Sequence, residues 1–253
     1  EREKEILNLK DVKLANDSKP FNLSFFENEI VSITGLIGSG KTALASQIFG
    51  LNPDPKVTMT LNGNSYSPQS PEHAISAGVF MCPKDRASNA VVSEFDISNN
   101  LALPFFKRHS RLSFIRNKSL TQNARNSINE LGIVCQSEMD SVTTLSGGNQ
   151  QKVMVGRWLA EDSSVLLLDE PFQGVDIKAR RDIGHQIRST SRQRATIIFV
   201  AELDEALEIA DRVIVLHEGN LVGDYQNKSK NIPKIVSSFS GSANNLDSAN
   251  YGT

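Results

Sequence analysis

The 253-residue chain is long enough for one large globular domain, or for one domain that carries an inserted lobe. Lys and Arg number 27 against 29 Asp and Glu, and this balance argues against a dedicated nucleic-acid-binding protein. Hydrophobic residues make up 39% of the chain, which is enough for a core, and no run of 18 or more apolar residues is present that could span a membrane.

The first strong elements flank a glycine-rich segment. The stretch "NEIVSITG" (Asn28–Gly35) is a β-branched run that stops at a glycine, which predicts a short buried strand. The stretch "KTALASQIFGL" that starts at Lys41 has helical spacing and no proline until Pro53. Between them, "GLIGSGKT" (Gly35–Thr42) fits the pattern G-x-x-x-x-G-K-[ST] in the strand–loop–helix context that this pattern requires.

This segment predicts a phosphate-binding loop. Glycines let consecutive backbone N–H groups surround a phosphate, and the N-terminus of the following helix adds a partial positive charge. Lys41 can reach the outer phosphates as a catalytic group, and the Thr42 hydroxyl can ligate Mg²⁺. We therefore predict nucleotide contacts from Gly35, Leu36, Ile37, Gly38, Ser39, Gly40, Lys41, Thr42 and Ala43.

The middle of the chain, from about Arg86 to Ser146, is polar and helical and shows no strong strand. We predict an inserted helical lobe there, which extends to about residue 160 when the next helix is included. One face of a helix within it is marked by Leu120, Ala124, Ile128 and Leu131.

A second anion-seeking helix terminus follows in "TTLSGGNQQKV" (Thr143–Val153). Ser146 is a good N-cap residue, and we expect its helix to begin near Asn149, with Val153 on its apolar side. Two glycines at the start of such a helix allow close approach to a phosphate. One nucleotide does not obviously need both this terminus and the loop before Lys41.

A buried strand with two acids at its end follows. The stretch "SVLLLDEP" (Ser164–Pro171) is continuously apolar, as is typical of a strand in a parallel sheet. A carboxylate at the C-terminal end of such a strand points into the ligand crevice. We predict that Asp169 holds Mg²⁺ through its water shell and that Glu170 activates an attacking water.

The last third completes the sheet. The stretch "ATIIFVAEL" (Ala195–Leu203) predicts a third buried strand, and "KARRDIGHQIRS" before it predicts the helix of a strand–helix–strand crossover. Asp211–Tyr225 predicts a late β-hairpin that turns at "EGN". From about Ser242 the chain is rich in Ser, Asn and Gly, and we predict that residues 242–253 form a disordered tail.

The phosphate loop, "LSGGNQQK" and the acid-ended strand, in this order, resemble the ATP-binding cassette (ABC) family, and the resemblance runs from about Ile6 to Gly241. It implies an α/β P-loop fold over residues 1–241, with a parallel core sheet, an antiparallel β subdomain and an inserted helical subdomain. Finer details resemble the second, C-terminal cassette of tandem bacterial sugar-import ATP-binding proteins. These details include "PKDR" (Pro83–Arg86), "DISNNLAL" and "DEPFQGVD".

The resemblance also implies where the second helix terminus acts. In the family this signature segment caps the γ-phosphate held by the loop of another cassette, and an aspartate, here Asp176, crosses toward that other subunit. The residues implied to act on the partner nucleotide are Ser146, Gly147, Gly148 and Gln150.

The implied cofactors are ATP and Mg²⁺, and the implied function is ATP hydrolysis that powers solute import from the cytoplasmic face of the inner membrane. The partners are a second cassette, transmembrane permease subunits and, indirectly, a solute-binding protein, with no nucleic acid. The second cassette is either another copy or a part of the same full-length chain. The chain begins at Glu1 rather than Met, which fits either a piece of a longer protein or a chain whose start has been removed by processing.

Three positions depart from the family pattern. Ala201 stands where the family usually has a histidine that contacts the γ-phosphate, and Lys84 falls at or beside the usual glutamine. No aromatic residue that could stack on adenine is evident near Val12–Ala15. Efficient hydrolysis at this site is therefore an open question, and two alternatives remain. One is a non-hydrolysing regulatory cassette, and the other is a soluble cassette protein that acts on DNA or ribosomes.

Overall fold

The computed structural model describes residues 4–84, 91–111, 114–115 and 117–241, except for the side chains between 107 and 117. The predicted tail from Ser242, and Asp85 and Arg86 of "PKDR", lie outside the described residues. No helix in the described ranges is both long enough and apolar enough to cross a membrane.

The strands form three sheets: one of six strands, one of four, and a small pair. Short β-branched or aliphatic runs bounded by turn residues account for most of them. Their bounds are β1 (Glu5–Val12), β2 (Phe21–Phe26), β3 (Ile30–Thr34), β4 (Thr58–Leu61), β5 (Asn64–Tyr66), β6 (Val79–Cys82), β7 (Ser110–Arg111), β8 (Phe114–Ile115), β9 (Val165–Asp169), β10 (Ala195–Val200), β11 (Arg212–His217) and β12 (Asn220–Gln226).

Eight α-helices occur in the described part of the chain. Side-chain caps, which satisfy the first free N–H groups, come from Ser70, Asp96, Ser146 and Asp176. The helix bounds are α1 (Lys41–Ile48), α2 (Pro71–Ser76), α3 (Ile97–Ala102), α4 (Asn117–Leu131), α5 (Gly147–Leu159), α6 (Ile177–Ser189), α7 (Leu203–Ile209) and α8 (Ile232–Phe239).

The six-stranded sheet has the order β12-β11-β3-β10-β9-β6. β3, β9, β10 and β11 are mutually parallel where they pair, and β12 returns antiparallel to β11. The three strands predicted as buried are confirmed, because every residue of β3, β9 and β10 is buried. The hairpin of β11 and β12 turns at Glu218 and Gly219, which have φ of 47° and 77°, as the predicted turn requires.

A four-stranded antiparallel sheet, in the order β2-β1-β4-β5, matches the antiparallel portion implied by the family resemblance. Its apolar face joins one core cluster with α1 and one face of the larger sheet. Phe25 of the smaller sheet, Ile48 of α1, and Leu167 and Phe199 of the larger sheet belong to this cluster. The phosphate-loop segment therefore lies between two elements of one packed core.

The chain divides into two compact units. The first unit comprises the chain up to Met81, Ser163–Glu170 and the chain from Ser191 onward. The second unit comprises Cys82–Asp162 and Pro171–Thr190. The second unit thus contains α6, which the sequence analysis places between two strands of the core and not with the helical lobe.

The second unit is helical, with one exception to the sequence analysis: β7 and β8 form a short antiparallel pair in a stretch predicted to lack a strong strand. Within the unit, Arg157 is buried, and its guanidinium donates to the main-chain oxygen of Asn100 at 2.6 Å and to its Oδ1 at 3.2 Å. Burial lowers the pKa of Arg157 to about 10, so the group still carries its charge at neutral pH.

The first unit contains a buried ion-pair network around Arg212. Its guanidinium donates to both carboxylate oxygens of Glu29, at 2.8 and 3.0 Å, and to both of Asp224, at 3.0 and 3.2 Å. A further bond of 2.6 Å reaches the main-chain oxygen of Ser24, and Phe25 packs against the guanidinium at 5.8 Å. The network joins β2, β11 and β12. Pairing with both oxygens of each carboxylate satisfies several N–H donors of the guanidinium at once.

Candidate nucleotide-binding site

The glycine-rich loop connects β3 to α1 within the first unit. Gly38 and Gly40 have φ of 82° and 101°, which side-chain-bearing residues rarely adopt. α1 begins at Lys41, and its N-cap, Gly40, offers no side chain to the first free N–H groups. A curled backbone followed by an uncapped helix start presents N–H groups to an anion, as the sequence predicts.

The side chains of the loop differ in exposure. Leu36 and Ile37 are 53% and 101% exposed, so any contact that they make with a nucleotide inside the loop comes from their backbone. Ser39 is buried, and its N–H donates to the oxygen of Leu36 at 3.1 Å, which closes the turn. Thr42 and Ala43 are exposed on the first turn of α1, where the Thr42 hydroxyl is accessible.

Lys41 is buried, and its amine turns back onto the loop. It donates to the main-chain oxygen of Gly35, and it lies 3.5 Å from that of Leu36. Carbonyl oxygens carry only partial charges, so a phosphate oxygen is a stronger partner for the same amine. The loop, the helix start and this amine together fit a nucleotide phosphate chain.

Two carboxylates lie at the same edge of the sheet as the loop. Asp169 ends β9 and is paired in register with Phe199, while Val200 is paired with Thr34, the residue before the loop. β9 and β3 are two strands apart in the sheet, which corresponds to a lateral separation of roughly 10 Å. The sheet therefore brings both acids of "LLLDEP" to the edge on which the loop stands.

Glu170 is buried and strained. Its φ of 51° is unusual for a residue with a side chain, and its N–H donates to the oxygen of Phe199 at 2.8 Å. Its carboxylate oxygen Oε2 accepts the N–H of Ala201 at 3.3 Å. The position that departs from the family pattern thus lies in direct contact with the predicted general base, and it contributes only a backbone amide there.

Two distant segments support the loop from outside. A Cβ atom on Gly40 would stand 2.9 Å from Cδ1 of Leu14, so Leu14 packs closely on this glycine. The N–H of Gly219, in the turn between β11 and β12, donates to the oxygen of Ser39 at 3.1 Å. Neither contact is predictable from the sequence, because no local pattern relates positions 14 and 219 to the loop.

Leu14 also lines an open cleft of about 370 Å³, together with Lys13, Ala15 and Pro20 among others. No aromatic side chain belongs to the described lining of this cleft. The cleft adjoins the glycine-rich loop through Leu14.

The model of a known family, described as "ABC transporter", matches residues 18–173, more than half of the chain. The chain belongs to the ABC transporter family. The arabinose import ATP-binding protein AraG of Pectobacterium atrosepticum is 34% identical over 91% of this chain and 46% of its own length. The xylose import ATP-binding protein XylG of Thermoanaerobacter pseudethanolicus is 36% identical over 85% of this chain and 43% of its own length.

The chain thus spans about half the length of the curated relatives it matches. Among solved structures, the ADP conformation of MJ1267, an ATP-binding cassette of an ABC transporter, superposes with a TM-score of 0.77 at 19% identity. That match covers 94% of this chain and 99% of the other. The agreement shows an ABC cassette fold, with the mixed sheets and helices that the sequence predicts.

The signature segment of this ABC protein lies at the start of α5, in the second unit. Ser146 caps the helix, as predicted, and its Oγ accepts the N–H of Asn149 at 3.4 Å. The helix begins at Gly147, two residues before the predicted start, because the extended Ser146 is itself the cap. Ser146 is exposed and Gly147, Gly148 and Gln150 are half-buried, and the Gln150 amide donates to the oxygen of Leu145 at 3.1 Å.

The second unit also contains Asp176, which is predicted to face a second cassette, and Lys84, which departs from the family pattern. Asp176 caps α6, since its Oδ1 accepts the N–H of Ala179 at 2.7 Å. This carboxylate therefore has a structural role in its own chain, whatever it contacts elsewhere. Lys84 is exposed, at the limit of the described residues.

Proposed function

We propose that the chain is a nucleotide-binding domain that binds and hydrolyses ATP to power import of a sugar or sugar-like solute. The observation that carries the proposal is the uncapped start of α1, enclosed by a loop with two left-handed glycines and the buried Lys41 amine. The import ATP-binding proteins for arabinose, ribose and xylose that it resembles support the transport role. We further propose that it corresponds to the C-terminal cassette of a tandem protein.

The loop residues divide the work of holding a triphosphate. Backbone N–H groups of Gly38, Gly40, Lys41 and Thr42 bind phosphate oxygens, and the Lys41 amine exchanges its carbonyl partners for phosphate oxygens. Thr42 and Asp169 supply a hydroxyl and a carboxylate, the hard oxygen donors that Mg²⁺ prefers. When bound there, Mg²⁺ would neutralise charge on the phosphates. No cluster of three or more metal-ligating acids, histidines or cysteines occurs in the described part of the chain.

Glu170 is the proposed catalytic base. It is buried at 8% exposure, and the N–H of Ala201 holds one of its two carboxylate oxygens. Such a fixed carboxylate can accept a proton from a water molecule that attacks the terminal phosphate. The methyl group of Ala201 cannot donate a hydrogen bond to the phosphate, so the base acts without help from the side chain at this position.

The two exposed helix starts of the second unit are the proposed partner surface. Ser146 and its glycines would bind the nucleotide of a second cassette, and the segment at Asp176 would lie beside them in the same interface. ATP would then bind more tightly to the closed pair of cassettes than to the open pair. Because of this difference in affinity, ATP would shift the population toward the closed pair. Permease subunits at the cytoplasmic face of the membrane would receive this motion.

Binding and turnover of ATP test the proposal. Lys41→Ala should weaken binding of a fluorescent ATP analogue at least tenfold, while Lys10→Ala, on the exposed face of β1, should leave it unchanged. Glu170→Gln should bind ATP normally and release phosphate at least a hundredfold more slowly. Equal ATP affinity of Lys41→Ala and the unchanged protein would refute the proposed site.

A second candidate function is a regulatory cassette that binds ATP without hydrolysing it. The observation that favours it is Ala201, which gives the base a backbone contact and no second polar side chain. Phosphate release by the unchanged protein, measured against Glu170→Gln with a partner cassette present, separates the two functions. Equal release by both proteins would support the regulatory role.

A further inference from the structure

The two helices whose starts we assign to the partner surface, α5 and α6, are linked inside the second unit by one buried side chain. The Lys152 amine, on α5, donates to Oδ2 of Asp182, on α6, at 2.7 Å. It also donates at 3.0 Å to the oxygen of Gly132, which directly follows α4. The Lys152 side chain is 5% exposed and that of Asp182 is 33% exposed, so the charge of the amine is largely removed from water.

The ion pair between Lys152 and Asp182, called the joint below, lies at the same position along each helix. Lys152 lies six residues after the cap Ser146, and Asp182 lies six residues after the cap Asp176. Six residues correspond to a rise of roughly 9 Å. Each helix start therefore lies at the same distance along its own helix from the ion pair.

The first turns of the two helices also lie close together. A Cβ atom on Gly148 would stand 3.4 Å from Cβ of Ala179, so the first turns of α5 and α6 meet with a glycine on one side. Gln151, beside Lys152, is buried, and its amide donates to the oxygen of Pro171 at 2.9 Å. Consecutive side chains of α5 thus bind α6 and the segment that directly follows Glu170.

We propose that Lys152 is a positioning residue for the reaction at the partner's nucleotide. By pairing with Asp182, it holds the signature start of α5 and the Asp176 start of α6 at a fixed offset, so that both engage one partner together. The proposal rests on the proposed function, because it assigns the two starts to one interface. Lys152 belongs to the second unit and is buried there, whereas the glycine-rich loop belongs to the first.

A matched control exists in the same unit. The Gln186 amide, farther along α6, donates to Oε2 of Glu130 on α4 at 3.0 Å, and Gln186 is also buried. Gln186→Met therefore removes a partly buried polar link between α4 and α6 but leaves the link between α5 and α6 intact. Lys152→Met removes the α5–α6 link, because methionine has a similar length but no charged amine. Asp182→Asn is a second, milder variant if Lys152→Met does not fold.

The first measurement separates binding from turnover. Affinity for a fluorescent ATP analogue should stay within twofold in Lys152→Met, Asp182→Asn and Gln186→Met, because the loop that binds it belongs to the first unit. Phosphate release with a partner cassette present should fall at least tenfold in the two joint variants and less than twofold in Gln186→Met. Full turnover in Lys152→Met, or an equal loss in Gln186→Met, would overturn the proposal.

The second measurement does not depend on ATP turnover, so it keeps failure of this proposal distinct from failure of the proposed function. Hydrogen exchange reports on the first backbone bonds of each helix, from Gln150 to Ser146 and from Arg180 to Asp176, both 2.9 Å. Exchange at both amides should accelerate at least fivefold in Lys152→Met and remain unchanged in Gln186→Met. Unchanged exchange at the two amides in Lys152→Met would refute the joint, even in a protein that turned over no ATP.

Discussion

Gly40 is the glycine whose substitution tests most directly whether the shape of the loop binds the nucleotide. The substitution Gly40→Ala places a side chain on a residue with φ of 101° and puts its Cβ 2.9 Å from Cδ1 of Leu14. Gly38→Ala is the matched variant, because Gly38 has φ of 82° and no atom within 4 Å of the added Cβ. The two alanines share a backbone cost and differ in one contact.

The expected loss follows from these two terms. An alanine in the left-handed region costs roughly 1–2 kcal/mol. Displacement of the Leu14 side chain adds about 1 kcal/mol. We take this energy to destabilise the loop conformation that binds ATP. ATP affinity then falls roughly 5- to 30-fold for Gly38→Ala and about 30- to 150-fold for Gly40→Ala, since 1.4 kcal/mol corresponds to a tenfold change.

A double-mutant cycle isolates the contact term. Titration with a fluorescent ATP analogue is measured for Gly40→Ala, Leu14→Ala and the pair, with Gly38→Ala alongside. In the Leu14→Ala background the extra loss at Gly40 should shrink toward that of Gly38→Ala, because the Cδ1 atom at 2.9 Å is gone and only the Cβ of residue 14, at 3.1 Å, remains. Thermal unfolding of each variant shows whether the cost stays local to the loop.

Two results would refute this reasoning. An affinity of Gly38→Ala within twofold of the unchanged protein would mean that the left-handed backbone is not what presents the N–H groups. An undiminished loss for Gly40→Ala in the Leu14→Ala background would mean that the close contact with Leu14 does not limit the loop.

Three further predictions concern the base and two buried polar clusters. Glu170→Gln should lower the rate of ATP hydrolysis by about 10²–10⁴, measured as phosphate release, and a loss below tenfold would exclude Glu170 as the base. Arg212→Met should lower the free energy of unfolding in urea by about 3–5 kcal/mol, because it leaves the buried Glu29 without its cation. Adding Glu29→Gln should recover part of that loss, and no recovery would contradict the pairing. Asn100→Ala should cost roughly 2–3 kcal/mol and speed hydrogen exchange at Val92, whose N–H the Asn100 side chain accepts at 2.9 Å. Unchanged exchange at Val92 would contradict it.

The parts of the fold that the sequence predicts correctly are those set by local patterns. The run before Gly35, the continuous apolar run before Asp169 and the "EGN" turn each determine their element within a few residues. The capping role of Ser146 was also predictable, since a serine before two glycines satisfies N–H groups of the next turn. The start of α5 was placed two residues too late, because the glycines resemble a loop although their backbone is helical.

The missed features depend on partners that are distant in the sequence. The pairing of Arg212 with Glu29 spans 183 positions, and that of Lys152 with Asp182 spans 30. Charged side chains on strand and helix faces look alike in sequence until packing decides which ones meet. The backbone amide of Ala201 at Glu170 is equally invisible, because any residue type would offer the same donor. The assignment of α6 to the second unit likewise depends on packing rather than on chain order.

The hydrogen bond from the Gly219 amide to the Ser39 oxygen bears on how the chain can be shortened. The family match ends at residue 173, after the glycine-rich loop, the signature segment and the acid-ended strand. A fragment cut after β10 would keep those motifs and lose the hairpin that buttresses the glycine turn. Completeness of motifs is thus no measure of completeness of the domain, and deletion studies should retain the strands that come last.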